Sequence, residues 1–254
     1  MSTETVLQIK NLGHSYGKFK VIEDISLAIG KGEMSALIGP NGAGKTTFYN
    51  AISGKFPPSR GKIFLNGEDI TGLPSYRVVD KGMCRSFQIT NIFNDLTVIE
   101  NVFSPLILQQ NKHFKLYGNI FNDQQINDKA MLTLEQVGLT DRADQVVANL
   151  AYGDKRLVEM AIVLAREPSV VLLDEPTAGM NPEETENMIN LIKKLAKNSG
   201  TTFFITEHDM KVVFSLAEKI YVLHQGHLLA CGNPEEIRAN EQVQEAYLGR
   251  KVHA

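Results

Sequence analysis

The chain has 254 residues, enough to bury a substantial core as one large domain or as a core carrying an inserted subdomain. Its 26 basic and 29 acidic residues leave a net charge of −3 without a long basic run, which argues against nucleic acid as a partner. No stretch approaches the ~18 apolar residues of a membrane span, and Met1-Ser2-Thr3-Glu4-Thr5 lacks the basic and apolar regions of a secretory signal, so a tie to a membrane is expected to run through a partner.

From Leu7 to Ile29 short apolar runs alternate with turn signals, which predicts antiparallel strands joined by tight turns. Tyr16 falls on one of those turns, where an aromatic either stacks on a nucleotide base or caps the sheet. Met34-Ser35-Ala36-Leu37-Ile38 then reads as a buried strand. It runs into Gly39-Pro40-Asn41-Gly42-Ala43-Gly44-Lys45-Thr46, which fits G-x-x-x-x-G-K-[ST] at every fixed position. A helix is expected from Thr46 through Thr47 to Ala51, stopping at Gly54. Strand, glycine loop and helix aim backbone N–H groups at phosphate oxygens, and the helix N-terminus adds a partial charge of roughly +0.5. Lys45 contributes a full charge toward the terminal phosphates, and the Thr46 hydroxyl is placed to hold Mg²⁺.

Lys62 to Gly67 reads as a strand entering an Asn-Gly turn, and Arg85-Ser86-Phe87-Gln88 follows. Between Leu96 and Arg166 the apolar spacing becomes helical, with Val98, Val102 and Leu106 in one group and Ala130, Leu134 and Val137 in another. This stretch is expected to form an inserted helical subdomain, with a loop or loosely packed helix across Gln109 to Asn127. Cys84 and Cys231, far apart and outside any C-x-x-C pair, fit a reduced compartment.

Val170-Val171-Leu172-Leu173 followed by Asp174-Glu175 suits a central parallel strand, buried on both faces, whose acids emerge where an α/β sheet binds ligands. Asp174 would hold Mg²⁺ directly or through water, and Glu175 would polarise the water that attacks the γ-phosphate. Asn181-Pro182-Glu183-Glu184 has the form of a capped helix start, with Gly200 as its stop. Thr201 to Thr206 is a further strand delivering Glu207, His208 and Asp209, which puts His208 on the same sheet edge as Asp174, within reach of phosphate. Val222 to Leu229 reads as a hairpin, followed by a short helical tail.

With these elements in order, the sequence resembles the ATP-binding cassette ATPases over essentially its whole length. Tyr16 matches the family's base-stacking aromatic, Gly39 to Thr46 its Walker A loop, with Thr47 beside it among the nucleotide-binding residues, and Gln88 the glutamine that links Mg²⁺ and attacking water to the transport partner. Leu150-Ala151-Tyr152-Gly153-Asp154 holds the signature position, Asp174-Glu175 the Walker B pair, and His208 the switch histidine. The resemblance implies an α/β fold: a P-loop NTPase (RecA-like) core over 1–88 and 167–235 with an N-terminal antiparallel β subdomain, an inserted helical subdomain over 89–166, and a tail over 236–254. It implies ATP and Mg²⁺ as cofactors, with Lys45, Gln88, Glu175 and His208 catalytic and Thr46, Gln88 and Asp174 around the metal. A second cassette would complete each ATP site through Gly153, so a lone chain should hydrolyse ATP poorly.

The signature departs from L-S-G-G-Q: Ala151 has no hydroxyl for phosphate, leaving Gly153 and the N-terminus of the following helix, while Lys155 and Arg156 are expected to offset Asp154. Ala178-Gly179-Met180-Asn181 likewise lacks the aspartate common in the D-loop. These departures, with Arg85-Ser86-Phe87-Gln88-Ile89 and Glu245-Ala246-Tyr247-Leu248-Gly249, look like the importer ATPases for branched-chain and other hydrophobic amino acids. That likeness implies transmembrane permease subunits, a periplasmic or extracellular solute-binding protein, and a place on the cytoplasmic face of the membrane. Two rivals are an export ATPase for lipid or lipopolysaccharide and a soluble cassette acting as an ATP-driven dimer clamp. A GTPase is disfavoured, since Asn111-Lys112-His113-Phe114 lacks the acid of N-K-x-D.

Overall fold

The computed structural model describes residues 4–86, 92–109 and 123–248. The chain opens with two long antiparallel strands, β1 (Thr5–Tyr16) and β2 (Phe19–Gly30), where the sequence pattern suggested several shorter ones. Register shifts along their ladder, one beside Asn11 (φ 48°), absorb the breaks in alternation that read as turns. β4 (Arg60–Leu65) and the two-residue β5 (Glu68–Asp69) complete this sheet in the order β2-β1-β4-β5.

The second sheet carries the site. Its order is β10-β9-β3-β8-β7-β6, with β3 (Met34–Ile38), β6 (Met83–Arg85), β7 (Val170–Asp174), β8 (Thr202–Thr206), β9 (Lys219–His224) and β10 (His227–Gly232). All neighbours pair in parallel except β9 with β10, which form the expected hairpin. Every residue of β3, β7 and β8 is buried, as strands covered on both faces require. β8 lies between β3 and β7, so the chain leaves three adjacent strands on one edge, at Gly39, Glu175 and Glu207.

One face of this sheet meets α1 (Lys45–Ile52) and the antiparallel sheet. Phe48, Tyr49 and Phe204 fill that layer with Ile9, Ile25, Ile63 and Leu172. Full burial of side chains this large stabilises the fold by roughly 1.5–3 kcal/mol each. The other face packs on α3 (Val98–Gln109), α4 (Gln124–Val137), α5 (Tyr152–Leu164) and α6 (Pro182–Ser199). Val98, Val102 and Leu106 meet Ala130, Leu134 and Val137 there, as their spacing predicts. The remaining helices are α2 (Ser75–Asp80), α7 (Met210–Leu216), α8 (Pro234–Ala239) and α9 (Glu241–Leu248).

The helix termini follow the sequence closely. Asn181 accepts from the Glu184 N–H at 2.9 Å while the Glu184 carboxylate accepts from the Asn181 N–H at 2.9 Å, a reciprocal cap on α6 with Pro182 in its first turn. Gly200 ends α6 in the left-handed region at φ 65°. Among the described residues no helix is long and apolar enough to cross a membrane.

Candidate functional site

Asn41 to Thr47, Val21, Asp174, Glu175, Thr206 and His208 line one cavity of about 220 Å³. The three strand ends thus bring together the glycine loop, both acids and the histidine that the sequence had placed on a common edge. Gly44 takes φ 102° and starts α1, whose first turn carries no acid. The loop's N–H groups and the start of α1 therefore have no competing carboxylate in the first turn. Lys45 Nζ donates to Gly39 O at 2.6 Å and Pro40 O at 3.2 Å, folded back on its own loop. Burial lowers the Lys45 pKa, an effect that the nearby charges of Glu175 and Asp174 oppose.

The acids differ in surroundings. Asp174, 8% exposed, accepts from Thr206 Oγ1 at 2.6 Å through Oδ1 and from Arg85 Nη2 at 2.5 Å through Oδ2. Glu175 sits one residue past the strand at φ 51°, and its N–H donates to Thr206 O at 2.9 Å. This turn sends its carboxylate toward the cavity, with Oε1 2.9 Å from His208 Nε2. Thr206 therefore holds both residues, one by its hydroxyl and the other by its carbonyl.

Glu207 completes the frame. Buried at 5% exposure, it accepts from Thr177 N–H at 3.0 Å, from Thr177 Oγ1 at 2.5 Å and from His208 N–H at 3.0 Å. It fastens the turn after β7 to the end of β8. Thr206, Glu207 and Arg85 were not assigned to the site from the sequence. An acid beside Thr206 and His208 was visible, but its burial was not.

The remaining expected residues fall elsewhere. Tyr16 stands at the tip of the β1–β2 hairpin, 54% exposed, with its ring edge-on to His14 at 4.8 Å and to Phe56 at 6.0 Å. It does not line the cavity, although Val21 of the same hairpin does. Gly39 and Pro40 accept from Lys45 instead of lining the cavity. Gln88 lies outside the described residues.

Gly153 belongs to a second cavity, of about 310 Å³, with Ala151, Asp154 and Glu184 among its walls. A Cβ on Gly153 would lie 2.8 Å from Glu184 Oε1, so the helix cap of α6 presses directly on the signature. Tyr152 Oη donates to Ala178 O at 3.1 Å and accepts from Arg156 Nη2 at 2.8 Å, which ties the signature to the turn after Asp174-Glu175. The expectation that Arg156 offsets Asp154 is corrected. Arg156 is 8% exposed and paired with Glu159 at 2.8 Å on the inner face of α5, whereas Asp154 pairs with Arg142. Two positions along a helix turn the side chain by about 200°, onto the opposite face. Lys155 Nζ donates to Ala148 O at 3.2 Å.

Ala151 is the N-cap of α5 in extended backbone (φ −62°, ψ 160°) and supplies no side-chain acceptor. Ala151→Ser is expected to stabilise the chain by about 1 kcal/mol, the usual worth of a serine cap, raising Tm by about 2–4 °C. ATP turnover should change less than threefold if backbone groups already serve the phosphate; a tenfold gain in an ATPase assay would contradict that reading.

A third cavity, of about 580 Å³ and largely apolar, has Val79, Pro105, Leu108, Ile162, Arg85 and Asp174 among its walls.

A phosphate loop after one central strand of a mainly parallel sheet, and an Asp-Glu pair at the end of a nearby strand, define a P-loop NTPase. Residues 22–178 match the family model described as ABC transporter, and residues 227–253 match that of the branched-chain amino acid ATP-binding cassette transporter. The chain belongs to the ABC transporter ATP-binding family and is an ATP-binding ATPase coupled to transport. The high-affinity branched-chain amino acid transport ATP-binding protein LivG of Salmonella typhimurium is 38% identical over 256 residues, covering 97% of this chain and 99% of the relative. The lipopolysaccharide export system ATP-binding protein LptB of Haemophilus influenzae is 34% identical, covering 97% of this chain and 98% of the relative. Among solved structures, the ADP conformation of MJ1267, an ATP-binding cassette of an ABC transporter, superposes with a TM-score of 0.87 at 29% identity, covering 98% of this chain and 100% of that one.

Proposed function

We propose that the chain is the ATPase subunit of an importer for branched-chain or related hydrophobic amino acids, working at the cytoplasmic face of the membrane through permease subunits. The observation that carries the catalytic reading is the convergence of Lys45, Asp174, Glu175 and His208 on one cavity from three adjacent strand ends. The amino-acid reading is supported by the likeness to LivG and by the match over residues 227–253. The 34% identity to LptB keeps export as the second reading.

Asn41 to Thr47 and Lys45 bind the phosphates, and Tyr16 supplies an exposed ring for the base. The cavity offers a metal a hydroxyl from Thr46 and a carboxylate from Asp174, hard oxygen donors that fit Mg²⁺. Bound there, Mg²⁺ would draw charge from the terminal phosphates. Glu175 takes the proton of the attacking water, and His208, 2.9 Å from its carboxylate, orients it and faces the γ-phosphate. Gln88 joins this set by resemblance. Gly153 and the N-terminus of α5 serve the ATP of a second cassette, and the apolar groove beside Leu108 accepts a short helix of a permease.

Since each site needs two chains, ATPase activity per chain should rise in proportion to concentration when the protein is dilute and level off once dimers form. Phosphate release measured over a dilution series tests this; activity per chain that is constant at every dilution would refute a shared site. Reconstitution with the permeases and a leucine uptake assay tests the importer reading, and ATP-driven movement of lipopolysaccharide in its place would decide for export.

A further inference from the structure

Arg85 closes β6 at the edge of the central sheet, and its role is assigned by none of the chemistry above. Its side chain is 11% exposed and faces four groups at once. Nη2 reaches Asp174 Oδ2 at 2.5 Å, while Nη1 donates to Asn50 Oδ1 at 2.7 Å, within the phosphate-loop helix, and to Ser53 Oγ at 3.3 Å, just past it. The guanidinium carbon lies 5.6 Å from the centre of the Tyr49 ring, whose phenol is fully buried and whose pKa burial pushes far up. The other oxygen of Asp174 is taken by Thr206.

A carboxylate buried to this degree needs a cation close by, because an uncompensated charge out of water is strongly destabilising. Lys45 does not meet that need at bonding distance, as its ammonium is turned onto Gly39 O and Pro40 O. Arg85 does, and it lines the apolar groove with Asp174, Asn50 and Ser53 and does not line the nucleotide cavity, which adjoins the groove at Thr46 and Asp174.

We propose that Arg85 is a positioning residue that serves as the counter-cation of Asp174 in the nucleotide-free protein, keeping the acid aimed while barring free divalent cations from it until nucleotide arrives. This rests on the reading of Asp174 as the metal-holding acid. Its consequence is that the nucleotide-free protein takes up no metal by itself, and that phosphate ligands are needed to draw the cation in against Arg85. Asn50 and Ser53 fix the guanidinium to α1, so the acid's position is set by the same helix that carries the phosphate loop.

The test is thermal unfolding of the nucleotide-free full chain against MgCl₂, with NaCl of equal ionic strength as the control. The wild type should move by less than about 1 °C, whereas Arg85→Met should gain about 2–4 °C at millimolar Mg²⁺ as metal fills the site left without its cation. Arg85→Gln, which keeps donors for Asn50 and Ser53 without the charge, should gain as much and gives the same reading if the methionine variant does not fold. Arg85→Lys should respond like the wild type, and the gain should vanish in Arg85→Gln combined with Asp174→Asn. Mg²⁺ responses of the methionine and glutamine variants equal to that of the wild type would overturn the proposal and leave Arg85 a packing residue. ATP affinity of Asp174→Asn, measured in Mg²⁺ and in EDTA with Arg85 intact, separates the two readings: an undiminished gain from Mg²⁺ would sink the metal role of Asp174 itself, whatever the Arg85 variants do.

Discussion

Glu175→Gln is expected to lower ATP turnover by about 10²–10⁴-fold, the usual worth of a positioned general base, while ATP affinity changes less than twofold. The geometry separates this acid from its neighbour. Asp174 is held on both oxygens by Arg85 and Thr206, whereas Glu175 is turned by its positive φ to the cavity wall beside His208. Glutamine keeps the length of the side chain and an acceptor for His208, so the fold and the binding surface remain. What it loses is the capacity to take a proton from water. With ATP bound and not consumed, the closed dimer should accumulate, visible as a doubled mass in gel filtration with ATP and Mg²⁺ and as a monomer with ADP. Phosphate release within threefold of the wild type would remove Glu175 as the base and shift attention to a substrate-assisted proton transfer.

The contrast between the two acids also marks how far the sequence could be read. That Asp174 and Glu175 end a buried strand follows from four apolar residues before two charged ones, and the loop at Gly39 to Thr46 follows from a spacing that few other functions need. The capped start of α6 and its glycine stop are local chemistry, and they stand where the sequence put them. Contacts across the fold are a different matter. Arg85 and Asp174 are 89 positions apart, and Thr177 and Glu207 are 30 apart, so no local pattern announces either pair. Arg156 shows the same limit within a single helix. Charge and position suggested a partner for Asp154, but the phase of α5 turns the guanidinium inward to Glu159 and Tyr152. The long strands β1 and β2 were broken into shorter ones because register shifts disturb the alternation without ending the pairing.

Gly39→Ala should cost far more than Gly42→Ala, although both change one hydrogen for a methyl group in the same loop. A Cβ on Gly39 would stand 2.2 Å from Leu223 O and 3.1 Å from the Cβ of Ala43. Leu223 belongs to β9, which pairs with β3 immediately before the loop, so the obstacle is backbone held in a ladder and cannot swing away. Relief requires the end of β3 to move, and with it the carbonyls of Gly39 and Pro40 that receive Lys45. Overpacking of this kind costs about 3 kcal/mol, a Tm loss of about 6–12 °C, and ATP affinity should fall at least tenfold as the loop is displaced. At Gly42 a Cβ meets nothing within 4 Å, and the penalty reduces to placing a side chain at φ 81°. That strain is about 1 kcal/mol, or about 2–4 °C in Tm. Unfolding curves and ATP titrations of the two variants side by side measure the difference. Equal losses in both would mean that the conformation of the loop, and not the close approach of β9, dictates glycine at position 39.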